Sequence, residues 1–355
     1  MTARSLFSKE LRWLRHNAVG VFFVLLILPS LYAASTVAFQ QAIPRDTPIA
    51  IVAEDDSVTD DELEAIKGVS AFFSRPHVYD SPANAQRALH REEVYAIFTV
   101  PHGLSDEDAD LTIQMTVERE MVPYEQPSLV IRNILARQVS DAFPADISVQ
   151  RATVGEERSL SEFLISVGTI LLTVVYAFAY LPRVVTNERN VFRRIRVESS
   201  LSRLLGVKFA VFTPLMLLPV VVFQGIANYL QLRLDMLAPG AVVATLLTFV
   251  SLTAVGLGVM FLVRFRTAGR MINVTLLFGT FTFSNLIYPA GFFSPLRRTI
   301  AHLSPVHYAM VIQRGISLKS KPATLYADRF GILIAFTVAS LAFLALSVVY
   351  YQWRA

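Results

Sequence analysis

Six stretches of about 20 mainly apolar residues punctuate the chain, at about 19–39, 161–181, 207–228, 241–263, 271–290 and 330–351. A helix rises 1.5 Å per residue, so each is long enough to cross about 30 Å of hydrocarbon. The pattern predicts a polytopic α-helical membrane protein with six transmembrane helices. Ahead of the first stretch, in residues 1–18, Phe7, Leu11, Leu14 and Ala18 fall on one helical stripe, while Lys9, Arg12, Arg15 and His16 fall elsewhere. This is the periodicity of an amphipathic helix lying along the inner membrane face. The stretch 19–39 exceeds the roughly 7–15 apolar residues of a cleavable signal, so we read it as a retained span.

Between the first two stretches the periodicity changes. Residues 40–160 alternate short β-branched runs with helical patterns, which predicts one inserted mixed α/β extracytoplasmic domain. The strand candidates are Ile49 to Ala53, Val94 to Val100, Leu111 to Val117 and Ile147 to Arg151, each bounded by Pro, Asp or Gly. Thr59-Asp60-Asp61-Glu62 forms a capping box, Ser81-Pro82 an N-cap followed by an N1 proline, and Pro127 opens an amphipathic helix through Ile131, Leu135 and Val139. About 120 residues suffice for a core of their own.

Composition agrees with this reading: 54% of residues are apolar, 17% are charged and the mean hydropathy is +0.48. The net charge of +4 is unevenly spread, because residues 40–160 hold 22 acids against 10 bases and carry −12, leaving +16 elsewhere. By the positive-inside rule the basic N-terminal segment is cytoplasmic, the acidic domain is outside, and both termini face the cytoplasm. The 27 Arg against 5 Lys point to a prokaryote, so the expected location is the cell membrane of a prokaryote. The loop 182–208 fits, with seven bases against Glu188 and Glu198. Residues 291–329 do not fit, since they are expected outside yet contain Arg297, Arg298, Arg314, Lys319, Lys321 and Arg329. No basic patch with interleaved aromatics points to nucleic acid. With no cysteine in the chain, disulfides, thiolate metal sites and cysteine nucleophiles are excluded.

The apolar stretches contain almost no ionisable residue, which argues against ion-coupled transport. Polar residues do occur, among them Thr173, Tyr176, Asn273 and Asn285, and two readings stand for them: hydrogen bonds between packed helices, or the lining of a substrate path. The sequence has no Gly-x-x-x-x-Gly-Lys-[Ser/Thr] loop for nucleotide phosphates, no Gly-x-Ser-x-Gly and no His-Glu-x-x-His. Any ATP-driven motor is therefore expected on another chain. The six histidines lack metal-site spacing, His302 and His307 being five apart and off a shared helical face. Asp106 to Asp110 begins like a calcium loop, but Leu111 replaces the required Gly, so it reads as a solvated acidic turn. In the loop 182–208, Val191, Phe192 and Ile195 lie at helical spacing among charges, which fits a docking helix or a loop bound to anionic headgroups.

The order of these parts resembles that of the type 2 ABC exporter permeases with a large extracytoplasmic domain. The likeness is carried by Asn187-Glu188-Arg189 and the following Ser199 to Lys208 stretch. Tyr288-Pro289-Ala290-Gly291-Phe292-Phe293-Ser294-Pro295, Leu303 to Ala309 and Arg314-Gly315 carry it before the last span. Ile49 to Ser57 and Ala96 to Leu104 carry it in the inserted domain. The resemblance implies a homodimer or heterodimer of permease protomers in the lipid bilayer, paired with separate ATPase subunits that hold ATP and magnesium. It implies a coupling helix within 182–208, with Asn187, Glu188, Arg189, Arg193 and Arg194 facing the ATPase. It also implies a re-entrant segment at 291–329 with Pro289, Gly291, Phe292, Pro305, Tyr308 and Arg314 as signature positions. Asn190 and Val191 depart from the family pattern of an acidic residue followed by Gly. The alternative is a membrane-anchored receptor or assembly protein whose extracytoplasmic domain binds a ligand or partner.

Overall fold

The computed structural model describes residue 15 and residues 46–106, 109–188, 200–286 and 288–354. The expected interface helix, the first span at 19–39, and Arg189, Arg193 and Arg194 lie outside the described residues.

The inserted domain is a five-stranded mixed sheet in the order β2-β1-β3-β4-β5. Its strands are β1 (Thr47–Ala53), β2 (Ser74–Val78), β3 (Ile97–Val100), β4 (Asp110–Glu118) and β5 (Asp146–Val154). Only the β3–β4 pair is antiparallel. Strand β1 is buried along nearly its whole length, as its unbroken apolar sequence requires of a strand covered on both faces. Helices α1 (Asp60–Ser70) and α3 (Glu125–Ala142) place Ile66, Ile131, Leu135 and Val139 in a core with Ile49, Ile51 and Ile113. Helix α2 (Pro82–His90) covers Ala50, Val52 and Ile97 on the opposite face. The sequence pattern misses β2, whose Ser-Arg-Pro-His-Val has no alternation; Pro76 is tolerated because β2 is an edge strand.

Four helices among the described residues are long and apolar enough to cross a membrane: α4 (Leu160–Asn187), α5 (Leu201–Tyr229), α6 (Pro239–Leu262) and the last helix. Helix α5 is interrupted at Met216, just after Pro214, whose ring cannot continue the hydrogen-bond ladder. The fifth apolar run behaves differently from the expected span at 271–290. Helix α7 (Thr267–Phe283) stops after 17 residues, Ser284 turning extended. Ser284 ties its hydroxyl back to the Thr280 carbonyl, and Pro289 is extended. Two short helices follow, α8 (Pro295–His302) and α9 (Pro305–Gln313), the latter running into a wide turn over Arg314–Leu318. Helix α10 (Ala327–Trp353) closes the described fold. It packs along α6, where Gly258 admits the Phe343 ring and the Ser251 and Ser340 hydroxyls pair at 2.9 Å.

One carboxylate organises a corner of the inserted domain. Glu62 closes the capping box with Thr59 and also accepts the Gly103 and Leu104 amides at 2.7 and 3.1 Å. Burial pushes its carboxyl up, but the Thr59 and Gly103 donors outweigh this and hold it at about 2. Replacing Glu62 by Ala strands two turn amides, so a loss of about 2 kcal/mol is expected, read as a lower unfolding midpoint of the full chain in detergent. An unchanged midpoint would show that this carboxylate does not hold the turn.

Candidate functional site: the junction between the inserted domain and the membrane half

Among the described residues, a cluster of buried charges lies where the inserted domain meets the segment after α7. Helix α2 ends in a Schellman motif in which the Glu92 amide bonds to the Leu89 carbonyl and the Glu93 amide to that of Ala88. The position with left-handed backbone is usually glycine, but here it is Glu92, at φ 57°. A side chain held there costs about 1 kcal/mol or more, a strain that the contacts of the side chain must offset.

Those contacts reach the membrane half. Glu92 accepts two hydrogen bonds from the Arg314 guanidinium, at 2.9 Å from Nε and 2.6 Å from Nη2. Lys319 lies 3.4 Å from the same carboxylate and bonds Glu118 at 2.5 Å. Glu118 lies at the end of β4, on the sheet face that α2 covers, and its other oxygen meets His90 Nδ1 at 2.8 Å. Arg314 is 0% exposed and Lys319 3%. Two acids therefore face two bases in a solvent-excluded junction, and Arg314 Nη1 donates to the Asn285 carbonyl at 2.8 Å. Burial alone would raise the Glu92 carboxyl, but Arg314 and Lys319 hold it at about 2.

Aromatic rings frame this junction. The Gly291 amide donates to the Tyr95 hydroxyl at 3.2 Å, and a β-carbon on Gly291 would meet the Tyr95 ring at 2.1 Å. A β-carbon on Gly315 would meet Tyr326 equally closely, and the Tyr326 hydroxyl donates to the His90 carbonyl at 3.1 Å. Both glycines are thus required by close approach of an aromatic ring. At the rim, Arg329 pairs with Glu93 at 2.8 Å and Arg91 pairs with Asp328.

The signature positions expected from sequence converge here to different degrees. Arg314 is the centre of the junction, and Gly291 and Pro289 belong to the strap that passes Tyr95. Phe292 lies in the short 3-10 turn Ala290–Phe292 of that strap. Pro305 opens α9, where Tyr308 donates its hydroxyl to the His302 carbonyl at 3.0 Å. The rings of His302 and His307 lie 4.5 Å apart, contrary to the single-helix expectation, because the chain turns at Leu303-Ser304 and puts them on separate helices. Among the described residues no group of three or more His, Asp or Glu is arranged to hold a metal.

The residues considered for a substrate path are not brought together. Thr173 spends its hydroxyl on the Thr169 carbonyl one turn back in α4. Tyr176 opens a wide turn at Tyr176–Tyr180 and lines an apolar cavity of about 630 Å³ with Tyr180, Phe212, Met216 and Phe249. Asn273 donates to the Gly256 carbonyl at 3.1 Å and shares a second cavity, of about 410 Å³, with Asn187, Thr186 and Arg270. Arg183 lines both cavities. Asn285 is fully buried beside Arg314, its side-chain amide without a hydrogen-bond partner among the described residues.

Of the coupling positions, Asn187 ends α4 and Glu188 follows it, paired at 2.7 Å with Lys208 in the second turn of α5. The segment between α4 and α5 is thus clasped at its two ends. Sequence reading singles out Arg314 but not its partner Glu92 or the adjoining Lys319–Glu118 pair. The available signal was electrostatic: six bases in 291–329 that broke the positive-inside pattern, and an acidic domain able to receive them.

The junction carries two tests. Glu92→Gln leaves two buried bases facing one acid, and an expected loss of about 3–5 kcal/mol lowers the unfolding midpoint. Glu92→Leu combined with Arg314→Met should cost less, since Lys319 and Glu118 then remain matched. Because the folded Glu92 value lies below its ordinary 4.5, its contribution is fully present above that pH and is lost as the pH falls from about 4.5 towards 2. Unfolding midpoints of wild type and Glu92→Gln across that range should converge on acidification; a constant gap would contradict the assignment.

The family model described as ABC-2 family transporter protein matches residues 19–346. No curated protein and no solved structure gives a match. With a match over most of its length, apolar membrane-length helices and an inserted α/β domain, the chain belongs to the ABC-2 transporter family as a multi-pass membrane permease.

Proposed function

We propose that this permease forms the translocation half of an exporter, moving a lipophilic or amphipathic substrate outward while separate ATPase subunits, with bound ATP and magnesium, supply the energy. Family membership carries this reading. It is joined by the absence from the sequence of a phosphate-cradling Gly-x-x-x-x-Gly-Lys-[Ser/Thr] loop. Two protomers, identical or paired with a related chain, enclose the path in the cell membrane of a prokaryote. The inserted domain and the junction lie on the extracytoplasmic side, and the segment between α4 and α5 lies on the cytoplasmic side.

The Glu188–Lys208 pair supports a coupling route. An ATPase pressing on the segment between Asn187 and Leu201 pushes on α4 and α5 together, because the Glu188–Lys208 pair ties their ends. The first cavity lies between those two helices and is lined mainly by apolar and aromatic side chains, with Arg183 at its margin. Its volume, about 630 Å³, suits an amphipathic molecule with one polar end. The receptor alternative gains no observation of its own.

Glu188→Ala with Arg189→Ala tests the coupling. The Glu188–Lys208 pair is partly exposed, so its loss costs about 1 kcal/mol or less and the protein remains folded in the membrane. A soluble P-loop ATPase is expected to co-purify with the wild-type protein in mild detergent. In reconstituted vesicles the double variant should hydrolyse ATP with transport reduced about tenfold or more. Transport at the wild-type rate would remove these residues from the coupling route.

A further inference from the structure

Beside the ionic junction, between edge strand β2 and the segment carrying α8 and α9, lies a cleft of about 330 Å³. That volume is within the range of small-ligand sites. The inserted domain contributes Arg75, His77 and Arg91 to its wall. The membrane half contributes Arg298, His302, His307 and Arg329. The carboxylates in the wall are Glu92 and Glu93, and both are already committed. Glu92 serves Arg314 and Lys319, while Glu93 is shared by Arg91 and Arg329, which also meet Asp328.

Arg75 and Arg298 are left over. Neither forms an ion pair among the described residues: Arg298 donates only to backbone carbonyls, those of Asp46, Ala290, Gly291 and Phe293, and Arg75 stands exposed on β2. The cleft concentrates positive charge, and after burial itself it is Arg75 and Arg298 that most depress the His77 imidazole. At the inner wall His307 is buried, and its Nδ1 has no hydrogen-bond partner.

We propose that this cleft binds a phosphate-bearing anion, held between the Arg75 and Arg298 guanidiniums with the His307 imidazole as a buried polar contact. Two guanidiniums without an ion pair repel one another until an anion bridges them; exposed Arg75 can offer its planar fork to a pair of phosphate oxygens, and Arg298, whose Nε and Nη2 already meet backbone carbonyls, offers Nη1. A cation is excluded by the same field. A phosphate presents three or more oxygens in a tetrahedral array, so two guanidiniums and an imidazole approaching from different walls can each meet a separate oxygen, whereas a carboxylate has only two oxygens in one plane. The cleft lies at the boundary between the inserted domain and the membrane half, so the phosphate is that of a free anion or of a lipid headgroup. The proposal stands on the charges of the cleft and does not require the export reading.

The test uses the full-length protein in dodecyl maltoside micelles, which contain no phosphate. Inorganic phosphate and dihexanoyl phosphatidic acid are titrated separately, with binding followed by calorimetry. At least one probe should bind saturably with a Kd below about 1 mM. Arg75→Glu should weaken that binding about tenfold or more, with Arg75→Lys in between. His77→Glu places a carboxylate on the same exposed edge and should weaken binding as well, so the question does not depend on the folding of one variant. Binding of both probes identifies a site for free phosphate, and binding of phosphatidic acid alone identifies a headgroup site. Absence of saturable binding by either probe, or binding that both acidic variants leave unchanged, overturns the proposal.

Discussion

The pairing of Glu92 and Glu118 with Arg314 and Lys319 is the interaction on which the arrangement of the two halves depends. Ion pairs with almost no solvent access contribute little net stability, because desolvation of the charges consumes most of the attraction. What they contribute is intolerance of misplacement: an unmatched charge at this depth costs several kcal/mol, so only one docking geometry is compatible with all four groups. The left-handed Glu92 fits this logic, since a residue with a Cβ is kept at a position that favours glycine and its carboxylate is the reason.

The consequence for function lies in how motion is passed on. Arg314 follows directly from α9, contacts the Asn285 carbonyl after the end of α7, and lies 6.0 Å from the Phe163 ring in α4. The inserted domain is therefore tied to the ends of three membrane-half elements through one side chain. At the opposite end of α4 the Glu188–Lys208 pair ties the next loop to α5. Helix α4 thus connects the two ties, with a wide turn at Tyr176–Tyr180 beside the larger cavity. Wide turns of this kind are local departures from regular helix that often mark functional positions. Under the proposed coupling, a push at one end of α4 would reach the junction at the other.

Much of the fold was legible in the sequence because it rests on local rules. The Thr59 capping box, the Ser81 cap and the burial of Ile131, Leu135 and Val139 follow from spacing alone, as do α4, α6 and α10. Strand β2 escaped because an edge strand with proline has no alternation to display. Helix α7 ends before the apolar run does, because the run continues past Ser284, where side-chain hydrogen bonding and a downstream proline end the helix. The contact of His302 with His307 was missed by assuming one continuous helix. The junction was illegible for a different reason: Glu92 and Arg314 are 222 residues apart, and Glu118 and Lys319 are 201 apart. No local pattern encodes such pairings, and only the misplaced bases of 291–329 hinted at them.

If the four buried charges fix one docking geometry, the inserted domain and the α8–α9 segment move as one body. The native chain has no cysteine, so spin labels can be placed through Phe72→Cys and Leu296→Cys, both highly exposed and one on each side of the junction. Pulsed electron-spin distance measurement on the full-length protein in lipid nanodiscs should give a single narrow distance distribution. A broad distribution, or two separated populations, would show that the inserted domain swings free of the membrane half and would contradict the account.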